Sequence, residues 1–227
     1  VFVFSKSSEN YWEFVQKLVA TDGKASDNFG MAVALDATDA VYRIVVGAYT
    51  HGDADEGGAY VFESEPILNV GGNTTKPKFQ FTQKLIPNSP DSKHNYFGRS
   101  LSLYKSQLIV GAWGDSNEAN KSGCVYFYSL ESKNAPAPRL SQDIELVNGP
   151  SALSSSSPFE FKLIGKSFHP SDMSDAYFGF SVAIHTTTAL IGSHGDSTKG
   201  EKAGAVFVFR KSEGTWKHYT TLYPDNK

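Results

Sequence analysis

The sequence has almost no cysteine, no surplus of basic residues and no long apolar run. Its 227 residues include one cysteine, Cys124, which excludes an intrachain disulfide and a CxxC pair for zinc or redox chemistry. The 21 Lys and Arg residues are scattered among 24 Asp and Glu residues, and a net charge of −3 argues against a nucleic-acid partner. No apolar run approaches the roughly 18 residues that a membrane-spanning helix needs. Catalytic motifs such as G-x-S-x-G and H-E-x-x-H are also absent.

One residue pattern occurs three times along the sequence. Each copy has a phenylalanine-glycine pair, a short apolar segment, a glycine followed by a small residue, and a second apolar segment. The phenylalanine-glycine pairs are Phe29-Gly30, Phe97-Gly98 and Phe178-Gly179, and the glycine-small pairs are Gly47-Ala48, Gly111-Ala112 and Gly192-Ser193. The order of these pairs is the same in every copy while the loops between them vary in length, so we interpret the chain as a repeat protein.

Each repeat predicts four short strands. In the third copy they span 180–185, 188–193, 203–211 and 215–223, and the fourth strand recurs at 11–20, 78–87 and 159–167. Alternating or continuous apolar residues bounded by Gly, Asp, Asn and Pro are typical of strands, and no stretch shows a helical period. Four antiparallel strands repeated at this length predict an all-β fold, a β-propeller.

The predicted organisation is a single propeller segment over 1–227. Residues 1–26 hold strands three and four of one blade, and complete blades follow at 27–86, 95–168 and 175–223. The second complete blade carries an insert at 129–158 that is rich in Pro and Ser. Each glycine of a Phe-Gly pair is predicted to begin an inner strand where a side chain would clash, while the Phe wedges between sheets.

These pairs, in three copies in register, resemble the FG-GAP repeat family, which includes the propeller of the integrin alpha subunit. The resemblance covers nearly the whole chain apart from the inserts. It implies a propeller, usually of seven blades, that binds partners through loops at one mouth and lacks catalysis of its own. The calcium loops of the family, of the DxDxDG type, are absent from 35–43, 103–107 and 184–189, so we expect neither a metal nor another cofactor. A calcium ion at the acidic turn 52–58 is the alternative.

The predicted strands amount to about three and a half blades, whereas a closed ring needs about four to eight. Two interpretations remain open. The chain is a piece of a longer propeller, or it is half of a ring that a second copy completes.

An aspartate follows glycine in each predicted turn from strand two to strand three. Such an aspartate most often bonds the backbone of its own turn. The functional alternative is that the loops line one mouth and bind a peptide, a sugar or a cation. Its candidate residues are His51, Asp53, Trp113, Asp115, His194 and Asp196. A hydrolase with Asp115 and Asp196 as acid and base is a further alternative.

The sequence contains two N-x-[ST] sequons, at Asn73 and Asn120, which would suit a secreted surface. We therefore expect an extracellular or secretory-lumen protein that mediates adhesion or protein–protein interaction, or serves as a scaffold. Its partner would be a protein or a larger assembly. A lectin-like propeller that binds glycans through Trp113, Tyr49 and the acidic turns is the alternative.

Overall fold

The computed structural model describes residues 1–7, 9–38, 41–65, 69–70, 73–74, 76–87, 93–116, 119–133 and 157–225. Within these ranges every regular element is a strand, and no helix is long and apolar enough to cross a membrane. The strands are β1 (Phe2–Lys6), β2 (Trp12–Lys17), β3 (Ala32–Thr38), β4 (Val41–Ala48), β5 (Gly58–Ser64), β6 (Asn69–Val70), β7 (Asn73–Thr74), β8 (Phe79–Leu85), β9 (Ser100–Tyr104), β10 (Gln107–Ala112), β11 (Cys124–Ser132), β12 (Phe159–Phe168), β13 (Ser181–His185), β14 (Thr188–Ser193), β15 (Ala205–Ser212) and β16 (Thr215–Leu222).

The strands form three four-stranded antiparallel sheets, as expected for propeller blades. We name them blade A (β3-β4-β5-β8), blade B (β9-β10-β11-β12) and blade C (β13-β14-β15-β16). Strands β1 and β2 form a two-stranded sheet, which we call the first hairpin, and β6 and β7 form a short hairpin between β5 and β8. These sheets confirm the predicted all-β fold of propeller blades. The described sheets do not close into a ring, so the propeller is partial.

The core lies between the faces of neighbouring blades. Blades A and B bury one apolar cluster between them, blades B and C bury a second, and the first hairpin and blade A bury a third. Strands β4 and β5 carry almost continuous apolar runs because both of their faces are covered in this way. Cys124 is fully buried in β11.

The inner strands β3, β9 and β13 lie next to one another, and small residues permit the close approach. Ser100 in β9 donates a hydrogen bond of 2.7 Å from its hydroxyl to the carbonyl oxygen of Gly179. The hydroxyl oxygen of Ser102 accepts a 3.0 Å bond from the amide of Ile184 in β13. These serines therefore join blade B directly to blade C.

The phenylalanine-glycine pairs lie at the junctions between blades, where they form a repeated set of backbone hydrogen bonds. At each junction, three amides from the loop that leads into one blade donate to three carbonyls in the turn of the preceding blade. At the A–B junction His94, Tyr96 and Phe97 donate to Ala54, Asp55 and Glu56, and at the B–C junction Asp175, Tyr177 and Phe178 donate to Asn120, Lys121 and Ser122. All six distances lie between 2.7 and 3.1 Å.

The glycines of these pairs are required by backbone conformation and by space. Gly98 has a φ of +89°, and a Cβ placed on it would lie 2.4 Å from the carbonyl oxygen of Gly58. Gly179 has a φ of +86°, and its Cβ would lie 2.6 Å from the carbonyl oxygen of Cys124. Phe97 and Phe178 are completely buried. The predicted roles of both pairs are therefore confirmed.

The two inserts differ in what the structure describes. Residues 63–77 contain the β6–β7 hairpin, in which Asn73 begins β7. The first residues of the predicted insert at 129–158 belong to β11, which ends at Ser132. Residues 134–156 of the insert lie outside the described residues.

Candidate binding surface at the mouth of the blades

Two sets of loops meet at one end of the blades, which we call the mouth. The first set comprises the turns after β4, β10 and β14, and the second comprises the loops that lead into β3, β9 and β13. The junction hydrogen bonds described above hold the two sets against each other. The resemblance to the FG-GAP family implies that the two sets share one face, and this arrangement is consistent with it.

A row of ring side chains crosses the mouth over all three blades. Its members alternate between the two sets of loops, and they are Tyr49, Tyr96, Trp113, Tyr177 and His194. Successive ring centroids lie 5.9, 4.6, 5.4 and 4.8 Å apart. We call this set the aromatic row. The four aromatic residues are half-buried and His194 is exposed.

Two pairs within the row are stacked face to face. Tyr96 lies over Trp113 with an interplanar angle of 10°, and Tyr177 lies over His194 at the same angle. The glycine after Trp113 makes room for the first stack, since a Cβ on Gly114 would lie 2.4 Å from the Tyr96 ring. Each stack covers one face of both of its rings.

Arg99 and Phe180 lie beside the row and extend it. The Arg99 guanidinium carbon is 4.7 Å from the centroid of Phe180 and 5.9 Å from that of Tyr49. Phe180 also packs edge-on against His194 at 4.5 Å. The surface therefore combines aromatic edges with a half-buried cation, a composition typical of protein-binding sites.

Asp115 and Asp196 lie beneath this surface rather than on it, since each is only 1% exposed. The Asp115 carboxylate accepts a 3.0 Å bond from the Asn95 side-chain amide. The Asp196 carboxylate lies 2.9 Å from Nε2 of the buried His169 and accepts a 2.8 Å bond from the Thr198 backbone amide. Burial alone would raise the pKa of Asp196, but these hydrogen bonds outweigh it and lower that pKa.

His51 and Asp53 occupy different structural positions from those that the shared His-Gly-Asp letters suggest. The backbone carbonyls of His51, Asp115 and Asp196 each accept the bond that closes their turn, so His51 is the counterpart of the two aspartates. Counted from the glycine near the end of the second strand, His51 is the fourth residue after Gly47, as Asp115 is after Gly111 and Asp196 is after Gly192, whereas Asp53 is the sixth. The Asp53 side chain is 93% exposed and pairs with Lys24 at 3.0 Å.

His51 belongs to a polar network at the edge of the mouth in blade A. Its Nδ1 lies 2.7 Å from the Asp27 carboxylate, and its Nε2 lies 2.7 Å from the Lys84 ammonium group. Asp22 accepts hydrogen bonds from Lys84 and from the Tyr60 hydroxyl. These bonds lower the pKa of Asp22 to about 2, and the hydrogen bond from Lys84 makes the largest contribution to that shift. The network fixes this loop through charge-assisted hydrogen bonds.

The described residues contain no group of three or more His, Cys, Asp or Glu side chains placed to hold a metal ion. The acidic residues of the turn in blade A diverge. Asp53 faces Lys24, Asp55 lies 3.4 Å from His94, and Glu56 accepts a bond from the Ala54 amide.

Of the row, the sequence pointed to Tyr49, Trp113 and His194, whereas Tyr96 and Tyr177 entered only as the last residues of the loops 92–96 and 172–177, which the family resemblance places at the same mouth. A signal for the two tyrosines was present, because a tyrosine directly precedes Phe97 and Phe178 but not Phe29. Among the sequons, Asn120 is exposed in the turn after β10.

Comparison with known proteins identifies the family. The model of the FG-GAP repeat matches three stretches, residues 12–62, 79–128 and 167–209, which together cover more than half of the chain. Each match runs from the fourth strand of one sheet through the third strand of the next, so the repeat of the sequence is offset from the blade of the structure. No curated protein matches the chain. The chain belongs to the FG-GAP repeat family.

Proposed function

We propose that this chain is a non-catalytic binding segment of a propeller whose mouth binds a protein partner through the aromatic row. The single observation that carries the proposal is the continuity of the row, which crosses three blades without a break. Half-buried tyrosine and tryptophan side chains contribute large contact areas at low conformational-entropy cost, and the neighbouring arginine is a residue type that is enriched among binding hot spots. The junction hydrogen bonds hold the loops in place before any partner arrives.

The geometry favours a protein over a carbohydrate. A sugar-binding platform offers the flat face of an aromatic ring, whereas here the ring faces of Tyr96 with Trp113 and of Tyr177 with His194 cover each other. Half-buried tyrosines, each with an apolar ring and a hydroxyl group, suit the mixed polar and apolar contacts of a polypeptide. The lectin-like function is therefore the second candidate, and a glycan array tests it in parallel.

The burial of Asp115 and Asp196 counts against the hydrolase alternative. General acid–base catalysis needs groups within hydrogen-bond reach of a substrate, and both carboxylates are enclosed and already bonded to protein groups. We assign them instead to positioning the turns that carry Trp113 and His194.

The proposal includes an extracellular or secretory-lumen location, which the exposure of the sequon residue Asn120 supports. A glycan there would stand beside Lys121, whose carbonyl takes part in the B–C junction. Mass spectrometry of the secreted chain would show whether Asn120 is occupied, and a permanently unmodified asparagine would remove this support.

A display library of random peptides, selected on the immobilised chain, tests the function. We expect peptides whose affinity falls at least about tenfold, or ~1.4 kcal/mol, on Tyr96→Ala or Trp113→Ala. Tyr219→Ala is the matched control, because Tyr219 is an exposed aromatic residue on β16 that lies outside the row. Urea unfolding of each variant separates lost binding from lost folding. Glycan hits without peptide hits would favour the lectin-like function, and no ligand of either class would contradict the proposal.

A further inference from the structure

One cation of the mouth lies where side chains from all three blades meet. Arg99 directly follows Gly98 at the end of the loop that leads into blade B. Its guanidinium carbon lies 4.7 Å from the ring centroid of Phe180, which precedes β13 of blade C, and 5.9 Å from that of Tyr49, in the turn after β4 of blade A. These two contacts restrict the Arg99 side chain before any partner arrives.

The Arg99 guanidinium has no partner for its charge within the described protein. In the part of the chain that the structure describes, Arg99 forms no ion pair, and its guanidinium donates no hydrogen bond. Its nitrogen atoms are not among the buried polar atoms that lack a partner, so they reach the surface. Arg43 shows the contrast, because its buried guanidinium is paired with the Glu63 carboxylate at 2.7 Å. Arg99 is therefore a half-buried cation whose donors are open to a ligand.

The counterparts of Arg99 in the other two blades are apolar. The residue after the glycine of each Phe-Gly pair is Met31 in blade A and Phe180 in blade C. A methionine in place of Arg99 would also contact Phe180, and it would do so without removing part of a charge from water. Packing of the loop therefore does not account for the arginine. Recognition of an anion would use both its charge and its five N–H donors.

The carboxylates that approach the tyrosines of the row are already engaged within the protein. Asp55 lies 3.4 Å from Nδ1 of His94, and Asp175 accepts a 3.4 Å hydrogen bond from the Tyr177 hydroxyl. Among the described residues, neither carboxylate is paired with Arg99. The negative charge that complements Arg99 is thus left for a partner to supply.

The positive charge beside the row at neutral pH belongs to Arg99 rather than to His194. Burial, and to a smaller extent the nearby Lys202, lowers the pKa of His194 below its usual value of 6.5. Because His194 loses its proton below that value, its imidazole is mostly neutral at neutral pH. A guanidinium group stays charged throughout this range.

We propose that the segment of the partner that binds at the mouth is acidic, and that a carboxylate of an Asp or Glu side chain in it pairs with the Arg99 guanidinium. This inference rests on the proposed function, because it names the chemistry of the partner at the same surface. The carboxylate accepts two parallel N–H bonds from the guanidinium fork. The rings of Tyr49 and Phe180 exclude water from one side of the pair and so strengthen it. The neighbouring residues of the segment contact the aromatic row.

Two peptide display libraries that differ at one position test the inference. Both carry random residues other than Asp and Glu around a fixed central residue, which is Glu in one library and Gln in the other. The peptides are fused through their C-termini, so that no free carboxylate remains, and both libraries are selected on the immobilised chain. We expect binders from the Glu library, and replacing the fixed Glu by Gln in each of them should weaken binding at least about tenfold. Added salt should weaken the Glu form more than the Gln form.

Arg99→Met is the variant that identifies the pairing group, because Met is the residue that blade A carries at this position. The Glu and Gln forms of a peptide should bind Arg99→Met equally, with the affinity of the Gln form for the parent chain within about twofold. Lys217→Met is the matched control, since it removes the same charge from an exposed position on β16, outside the mouth. It should keep the full preference for Glu. Urea unfolding checks the fold of both variants, and the Glu-to-Gln comparison on the parent chain does not depend on it.

The outcomes separate this inference from the function on which it rests. Peptides that bind equally well with Glu and Gln but lose affinity on Trp113→Ala would overturn the acidic partner and leave the proposed function standing. A preference for Glu that survives Arg99→Met would overturn the pairing with Arg99. If neither these libraries nor the unrestricted library yielded a binder, the proposed function would itself fail, and this inference with it.

Discussion

Replacing Gly98 with alanine should destabilise the chain by about 2–5 kcal/mol. Two separate costs add at this position. The φ of +89° is a left-handed conformation, which costs a residue with a Cβ about 1–2 kcal/mol. The new Cβ would lie 2.4 Å from the backbone oxygen of Gly58, and relieving such overpacking costs about 1–3 kcal/mol. Because the obstructing atom belongs to the backbone, a side-chain rotation cannot relieve the clash.

Two other glycines separate these costs. Gly214 has a φ of +78°, but no atom lies within 4 Å of the position that a Cβ would take, so Gly214→Ala should cost only the conformational part, about 1–2 kcal/mol. Gly165 has neither constraint, and Gly165→Ala should stay within about 0.5 kcal/mol of the parent. Urea unfolding followed by tryptophan fluorescence measures all three variants. If Gly98→Ala cost no more than Gly214→Ala, the close approach of blades A and B would not be what requires glycine.

Three further predictions concern buried and paired charges. Arg43→Met should lower the free energy of unfolding in urea by about 3–5 kcal/mol, because it leaves the buried Glu63 carboxylate without the guanidinium group that lies 2.7 Å from it in the parent. The double variant with Glu63→Leu should recover most of that loss. Asp196→Asn should lose about 1–3 kcal/mol in the same assay, and an unchanged stability would contradict its role in holding the turn that carries His194. Asp22 has a folded pKa of about 2, below the usual value of 3.8, because Lys84 is hydrogen-bonded to it, so it contributes stability above about pH 4 that is lost as the pH falls towards 2. Asp22→Asn should flatten this part of the stability profile by a small amount, since the side chain is half-exposed.

The blades could be predicted from the sequence because their determinants are local and repeated. The spacing of the Phe-Gly and Gly-small pairs places the first and second strands, and the apolar runs place the third. The hydrophobic alternation reflects which side chains of a strand are buried, and the glycines mark positions where the backbone excludes a side chain. Both signals are short-range, and each repeat contains them. The role of Gly98 followed from the same reasoning.

The surface of the mouth was harder to predict because it depends on contacts between blades. Tyr96 comes from the loop before one strand and Trp113 from the turn after another, and only the relative placement of the loops stacks the two rings. The Gly-Asp pair of blade A begins five residues after Gly47, whereas those of blades B and C begin three residues after Gly111 and Gly192, so the shared residue types did not identify His51 as the counterpart of the two aspartates. A residue type that recurs in the loops of successive repeats therefore predicts an equivalent structural position less well than one that recurs in the strands.

The most direct test of the aromatic row as a binding surface is a footprint of the chain with a peptide selected on it. Hydrogen–deuterium exchange of the free and bound chain would report which loops the peptide covers. We predict slower exchange in the loops that carry Tyr96, Trp113 and Tyr177, with no change at β16. Slower exchange confined to the open face of blade C, or to the first hairpin, would contradict binding at the mouth.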